Sequence, residues 1–317
     1  MRNPIYFTFS DNNFLPRTLA MLKSFINYEV SPKIIFVQIE TLELKSVQIL
    51  NDMNVEIMSI ESIIDISTLN KIESNRTKME FMWTLPSLLL NQFLQTIPGY
   101  TDVVYLDADL FFFNSSEKIW SEVPNGNISI IEHKMSQRLQ REFPISGRFN
   151  VSWVSIPNNK LGLDCAKTWA SQCVELCPEI PIKIKGKIVY GDQKYLDDWP
   201  SLYGDKLTVI ENIGAGVAPW NFENYSFTYD DTFKVSGVDL IFYHFSSHQF
   251  GFLLARKMGR IYRGKSNIPK KLYLEYEQEL IQMAKLLKLK KWRSRYLPFQ
   301  SRVINFVKRY FSESKIN

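Results

Sequence analysis

Hydrophobic and polar positions along this chain alternate between two periods. Ile5-Tyr-Phe-Thr-Phe9 is a short run of β-branched and aromatic residues, which predicts a strand. Ser10-Asp-Asn-Asn13 interrupts it, and apolar residues then recur at helical spacing over 15–28. A second strand is predicted over 33–39, a second helix over 42–53 and a third strand over 55–60. This alternation predicts an α/β domain, with a mostly parallel sheet flanked by helices on both faces. Ligands of such sheets sit beyond the carboxyl ends of the strands, where Ser10-Asp-Asn-Asn13 falls. Residues 63–78 read as polar and irregular, and 80–91 as a helix with Pro86 in its first turn. Further strands are predicted over 102–106, 127–132, 149–156 and 238–248, with a helical turn over 116–120. Helices are predicted over 163–177 and 272–289.

The chemistry concentrates in Tyr105-Leu-Asp-Ala-Asp109, set between the apolar runs 102–106 and 110–113. Asp107 and Asp109 share a face if the strand stays regular. Two acids among apolar neighbours are costly unless something neutralises them. A divalent cation does so, because Mg²⁺ or Mn²⁺ prefers oxygen ligands and is commonly shared with substrate phosphates. Two solvated acids at a strand end is the other reading of the same residues.

Charge changes the picture at one end of the chain. The net charge is +5, yet 270–317 holds 12 Lys/Arg against 4 Asp/Glu, or +8, leaving −3 on the rest. We therefore divide the chain into a catalytic domain, 1–266, and a basic amphipathic helical tail, 267–317. Basic residues interleaved with Trp, Tyr and Leu over 290–296 and 303–311 suit an anionic membrane surface. Nucleic acid would attract the same charges, and a helix packed on the body is the third reading. We adopt peripheral membrane contact, with no nucleic-acid partner. No apolar run of about 18 residues exists, and the first residues turn polar too early for a signal peptide. The expected location is therefore cytoplasmic, on the inner face of the plasma membrane. Cys165, Cys173 and Cys177 lack metal-binding spacing and read as reduced residues on a helix face.

Several of these blocks resemble glycosyltransferase family 8, whose members have the GT-A nucleotide-sugar transferase fold. Asp107-Ala-Asp109 is similar to its Asp-x-Asp motif. Phe7-Thr-Phe-Ser-Asp-Asn-Asn-Phe14 resembles its first nucleotide-binding loop, which implies donor contacts from Phe9, Ser10, Asp11 and Asn13, with Asp107 and Ala108 further along. Capping of the next helix by the same polar residues is compatible with that role. The family carries a phosphate-contacting Arg four residues before a Pro, where this chain has Met82. Arg76 is taken as its substitute by position, with Lys78 nearby and a solvated loop as the alternative.

Phe149-Asn-Val-Ser-Trp153 resembles the family's Phe-Asn-x-Gly strand, with Ser152 in the Gly position. This implies that Asn150 faces the acceptor, and Trp153 is either a stacking platform or core. Asp192-Gln193 resembles the family's Asp-Gln beside the reacting sugar, which implies catalytic roles; capping a helix is the other reading of Asp192. The glycine-rich loop 212–221 is placed near the acceptor through Gly216 and Trp220. His244 stands where the family brings a metal-binding His, although a strand His is also commonly structural. Gln249-Phe-Gly-Phe replaces the family's Lys-Pro-Trp, and His248 is an added polar group.

The resemblance implies a retaining transferase in which Asp107, Asp109 and His244 hold Mn²⁺ or Mg²⁺. It would move a sugar from a nucleotide-diphosphate donor, read as a UDP-sugar, to a glycan, lipid-linked or protein acceptor. Bacterial surface polysaccharide synthesis, of lipopolysaccharide or capsule, is the expected setting. The rivals are a nucleotidyltransferase and a non-catalytic nucleotide-sugar-binding module. The first lacks its glycine-rich basic loop here, and the retained acids argue against the second.

Overall fold

A computed structural model describes residues 2–250, 256–257 and 269–289. The central sheet is built from β1 (Pro4–Ser10), β2 (Lys33–Gln38), β3 (Glu56–Ser59), β4 (Asp102–Leu106), β6 (Ile128–Glu132), β7 (Phe149–Pro157) and the strand Leu207–Val209. β5 (Leu110–Phe112) lies outside it. The sheet order is Leu207–Val209, β6, β7, β4, β1, β2, β3. β7 runs antiparallel to both its neighbours, and the other pairings are parallel.

The period of two along the strands divides the core. Tyr6, Ile34, Phe36, Val104 and Leu106 enter one apolar cluster, and Ile5, Phe7, Ile35, Val37, Val103 and Tyr105 the other. Strands buried on both faces need no polar side, which explains their near-continuous apolar sequence. The second cluster is closed by the helices Lys78–Thr96 and Lys160–Glu175. The first is closed by α1 (Leu15–Ile26) and by the helix Lys270–Leu286. β1 lies between β2 and β4, which it joins from opposite sides. This switch point puts the ends of β1 and β4 beside one crevice.

Three local expectations need correction. The stretch read as irregular contains the helix Ile66–Ser74, capped by Asp65 and burying only Leu69 and Ile72. Two apolar contacts on a polar segment leave a weak periodic signal. The helix expected to begin near Pro86 begins at Lys78, with a capping box between Thr77 and Glu80. Pro86 therefore lies inside it. The strand expected over 238–248 is divided into Val238–Asp239 and Phe242–His244.

The helix Lys270–Leu286, read as the start of a tail, packs on the body. Leu272, Tyr273, Tyr276, Leu280 and Met283 are buried in the cluster that contains α1. Lys23 Nζ lies 2.8 Å from Glu279 Oε1 across this contact. Each such apolar side chain contributes roughly 1.5–3 kcal/mol when fully buried, so the helix is integral to the core. The basic stretches over 290–296 and 303–311 lie outside the described residues. Among the described residues no helix is long and apolar enough to cross a membrane.

Gly162 sits in the first turn of Lys160–Glu175, where an added Cβ would stand 1.9 Å from the Pro157 carbonyl oxygen. Gly162→Ala must push this helix off β7. Overpacking typically costs about 1–3 kcal/mol, and a backbone clash belongs at the upper end. Urea unfolding checks this, and an unchanged midpoint would show that the helix shifts freely.

Candidate active site

Beyond Leu106 the chain leaves the sheet in a tight turn. The Leu110 N–H donates to the Asp107 carbonyl at 3.3 Å, and β5 begins at once. The two acids thus come together through a turn, not through a regular strand. β5 pairs antiparallel with Phe242–His244, with His244 opposite Leu110. His244 Nε2 lies 3.0 Å from Asp109 Oδ1 and 3.6 Å from Asp107 Oδ2. Asp109 and His244 are buried, and Asp107 is half-buried. The Tyr105 hydroxyl donates to Asp107 Oδ1 at 2.7 Å and sets its carboxylate plane.

One potential donor atom from each residue lies within 4.8 Å of the others. Mn²⁺ and Mg²⁺ hold oxygen ligands at about 2.1 Å, so adjacent octahedral ligands lie about 3 Å apart. The 3.0 Å separation fits that spacing, the 3.6 Å one is wider, and the donor set suits Mn²⁺ or Mg²⁺. The electrostatics agree. Burial pushes the Asp107 carboxyl up, His244 draws it down, and Asp109 adds repulsion; the net direction is up. Burial pushes the His244 imidazole down, but Asp109 and Asp107 outweigh it and raise it. A cation would relieve the repulsion between the carboxylates.

The loop that follows β1 lies at the neighbouring strand end. Phe9 stacks on Tyr105, with ring centroids 5.7 Å apart, which connects β1 to the residue that holds Asp107. Ser10 is buried and accepts from the Thr18 hydroxyl at 2.7 Å. Asp11 Oδ1 accepts from the Phe14 N–H at 2.8 Å, so Asp11 shapes the start of α1. Asn13 is exposed, and Ala108 is buried within the acidic turn.

Arg76 does not face this loop. Its guanidinium donates to the Thr84 hydroxyl and, at 2.6 Å, to the Val174 carbonyl, holding two helices together. Lys78 is the cation at the loop, 2.7 Å from Asp11 Oδ2 and 3.3 Å from Glu40 Oε1. Arg76 precedes the N-cap Thr77 of this helix, whereas Lys78 is its first residue.

On the other side of the acids, the Asp107 N–H donates to the Ser152 carbonyl at 3.1 Å, placing this part of β7 against the site. Ser152 donates to Asn150 Oδ1 from both its N–H and its hydroxyl. Asn150 Nδ2 is then a buried donor with no partner among the described residues. Trp153 corrects its expectation. It is fully buried against Tyr6, Trp120 and Phe242 and offers no face to a sugar. Trp220 forms a wall, its ring edge-on to both His244 and His133 at 5.0 and 5.2 Å. Gly216 has φ +79°, and an added Cβ would strike Ile131 at 2.5 Å.

Asp192 is buried, and its carbonyl accepts from Trp169 Nε1 at 3.0 Å. Burial first, and the Asp107 charge second, push its carboxyl up to about 8. Gln193 Nε2 donates to the Ser146 carbonyl at 2.7 Å, pinning the loop that leads into β7. His133 lies on the other side of this loop, with Nδ1 3.1 Å from the Gly147 carbonyl. Burial lowers the His133 imidazole to about 4, so it is neutral near pH 7. The sequence reading did not single out His133. Its only signal was a polar residue at the end of a buried strand.

Comparison with known proteins follows from this geometry. Residues 5–153 match the family model described as Glycosyl transferase family 8. Uncharacterized protein YfnD of Bacillus subtilis (strain 168) is 32% identical over 225 residues, covering 70% of this chain and 68% of YfnD. YfnF of the same strain is 31% identical over 190 residues, covering 56% and 60%. The structure of galactosyltransferase LgtC, in complex with donor and acceptor sugar analogs, superposes with a TM-score of 0.53 at 13% identity. That match covers 94% of this chain and 99% of LgtC. Glycosyltransferase GlyE of Streptococcus pneumoniae TIGR4 gives 0.51 at 14%, covering 94% of this chain and 67% of GlyE. At these identities the likeness is one of fold, the GT-A fold.

The unfolded chain ionises Asp192 near its ordinary value of about 4, and the folded chain only near about 8. The raised folded value means stability is lost as pH climbs between those two values. In metal-free protein, Asp192→Asn should unfold at the parent's midpoint near pH 4 and at a higher one at pH 8. Thermal unfolding in chelator reads this, and equal midpoints at pH 8 would mean that Asp192 ionises normally.

Proposed function

The chain belongs to glycosyl transferase family 8, and from that premise we propose that it is a metal-dependent transferase using a UDP-sugar donor. The observation that carries this reading is the Asp107, Asp109 and His244 cluster at the end of β4, beside the loop that follows β1. A bound Mn²⁺ or Mg²⁺ would neutralise the departing diphosphate. The chain's own residues do the rest. Tyr105 fixes the Asp107 carboxylate, and the pairing of β5 with Phe242–His244 fixes His244. Ser10, Asp11 and Asn13 would meet the nucleoside, with Lys78 in place of Arg76 as the cation at that loop.

Asp192 and Gln193 would line the transferred sugar. The unpartnered Asn150 Nδ2 supplies a donor for a sugar hydroxyl, because a buried amide without a partner favours one. The acceptor is read as a glycan or lipid-linked glycan of a bacterial surface polysaccharide. That setting rests on the family resemblance and on the basic residues of 270–317.

Calorimetry with UDP, with and without Mn²⁺, tests the donor and metal together. Affinity should rise with Mn²⁺, Asp109→Ala should abolish the increase, and His244→Ala should weaken it less. Asp192→Asn should depress turnover of the donor while UDP affinity stays near the parent's. Mn²⁺-independent UDP binding would sink the metal reading. Binding of nucleoside triphosphates in preference to UDP-sugars would favour a nucleotidyltransferase, and donor binding without turnover a non-catalytic module.

The proposed membrane contact is tested by co-sedimentation. Each Lys or Arg near an anionic surface contributes about 1 kcal/mol. Because Lys270–Leu286 belongs to the core, the comparison uses the full chain and a version ending at Leu289. The full chain should sediment with anionic vesicles at low salt and be released at high salt. Equal sedimentation of the two versions would remove 290–317 as the anchor.

A further inference from the structure

The turn after His244 is gripped from outside the site. Phe245 lies flat on Tyr276, with centroids 3.8 Å apart and 16° between planes, and its N–H donates to the Asp109 carbonyl at 2.9 Å. The His248 N–H donates to the Phe245 carbonyl at 3.0 Å and closes the turn. The His248 imidazole reaches Glu277, with Nε2 3.0 Å from Oε1 and both residues buried. The His248 carbonyl accepts from Arg17 Nη2 at 2.6 Å, and Arg17 Nη1 donates to the Tyr276 hydroxyl at 3.2 Å. α1 and the helix Lys270–Leu286 therefore hold one short turn between them.

Two further observations make this grip consequential. Ser247 has φ +57°, a left-handed conformation that costs an L-residue about 1–2 kcal/mol. Such a conformation persists when its surroundings over-determine it. Moreover, His244 Nδ1 is buried and has no hydrogen-bond partner among the described residues. Metal-binding histidines are almost always aimed by a bond at the second ring nitrogen. Here the ring packs edge-on to Trp220, and its backbone is fixed by His244 N–H to the Val217 carbonyl at 2.8 Å and by Phe245 N–H to the Asp109 carbonyl. Whatever holds the backbone of 245–248 also holds Nε2 against the acids.

We propose that Glu277 and Arg17, acting through His248, are positioning residues for the divalent-cation site, so that the helix Lys270–Leu286 sets the metal affinity. The proposal rests on the metal reading given above. It also gives a role in this chain to His248, the added polar group of this segment.

The test measures free Mn²⁺ by electron paramagnetic resonance, in the presence of UDP, for three proteins. These are the parent, Glu277→Ala, and the double variant His248→Phe with Glu277→Leu. The double variant removes both polar groups and keeps a ring among Phe245, Tyr273 and Tyr276. Both variants should bind Mn²⁺ about tenfold more weakly or worse, the scale for outer partners of a metal site. Their affinity for uridine, which carries no phosphate to share with the metal, should stay within about twofold of the parent's by calorimetry. Mn²⁺ affinity within twofold of the parent in the folded variants overturns the proposal, whatever happens to the melting temperature. If Glu277→Ala does not fold, the double variant decides. A parent that binds no Mn²⁺ overturns the metal reading and this proposal together, whereas a binding parent with equally binding variants overturns this proposal alone.

Discussion

The pairing of β5 with Phe242–His244 is the constraint on which the site depends. It places His244 opposite Leu110 and hence beside Asp109. A backbone ladder fixes this register more firmly than side-chain contacts would, because slipping by one residue would turn His244 to the opposite face. The pairing is short and lies outside the main sheet. Its rigidity is therefore borrowed, from the Val217–Tyr243 bridge on one side and the turn at 245–248 on the other.

That geometry has an electrostatic consequence. Asp107, Asp109 and Asp192 are acids drawn into one poorly solvated region, and His244 is the ring between the first two. Burial raises Asp107 and Asp192; the Asp109 charge raises Asp107 further, and the Asp107 charge raises Asp192. His244 is raised in turn because it balances the pair. The metal-free state thus distributes a shortage of positive charge over several groups. Arg76 and Lys78 are committed elsewhere, Arg76 to Thr84 and Val174 and Lys78 to Asp11 and Glu40.

The sequence was most legible where pattern and chemistry coincided. The alternation in β1, β2 and β4 announced a buried parallel sheet, and the acids between apolar runs announced the site. It was least legible where direction decided the outcome. Arg76 and Lys78 are equivalent in sequence, but the capping box at Thr77 turns one into the body and the other toward Asp11. Trp153 follows a site residue by three positions on β7, yet faces the opposite cluster. His244 was readable only through its family resemblance, since nothing local distinguishes it from a structural strand histidine. The helix Lys270–Leu286 misled by charge: its exposed positions mix Lys and Gln with Leu274 and Leu286, while the buried Tyr273, Tyr276 and Leu280 decide where it sits.

Chain synthesis gives the long reach of this helix a different meaning. Arg17 meets Tyr276 across 259 positions, and Lys23 meets Glu279 across 256. During translation α1 emerges about 250 residues ahead of the helix Lys270–Leu286, which helps to close its apolar cluster. Contacts so distant in sequence form slowly, since the intervening chain must be closed before they reward it. A nascent chain can hold the loop after β1 and the two acids that follow β4 before it holds His244 in place. Competence would thus wait until the helix Lys270–Leu286 has been made, and until then apolar side chains of α1 stay open to unwanted association.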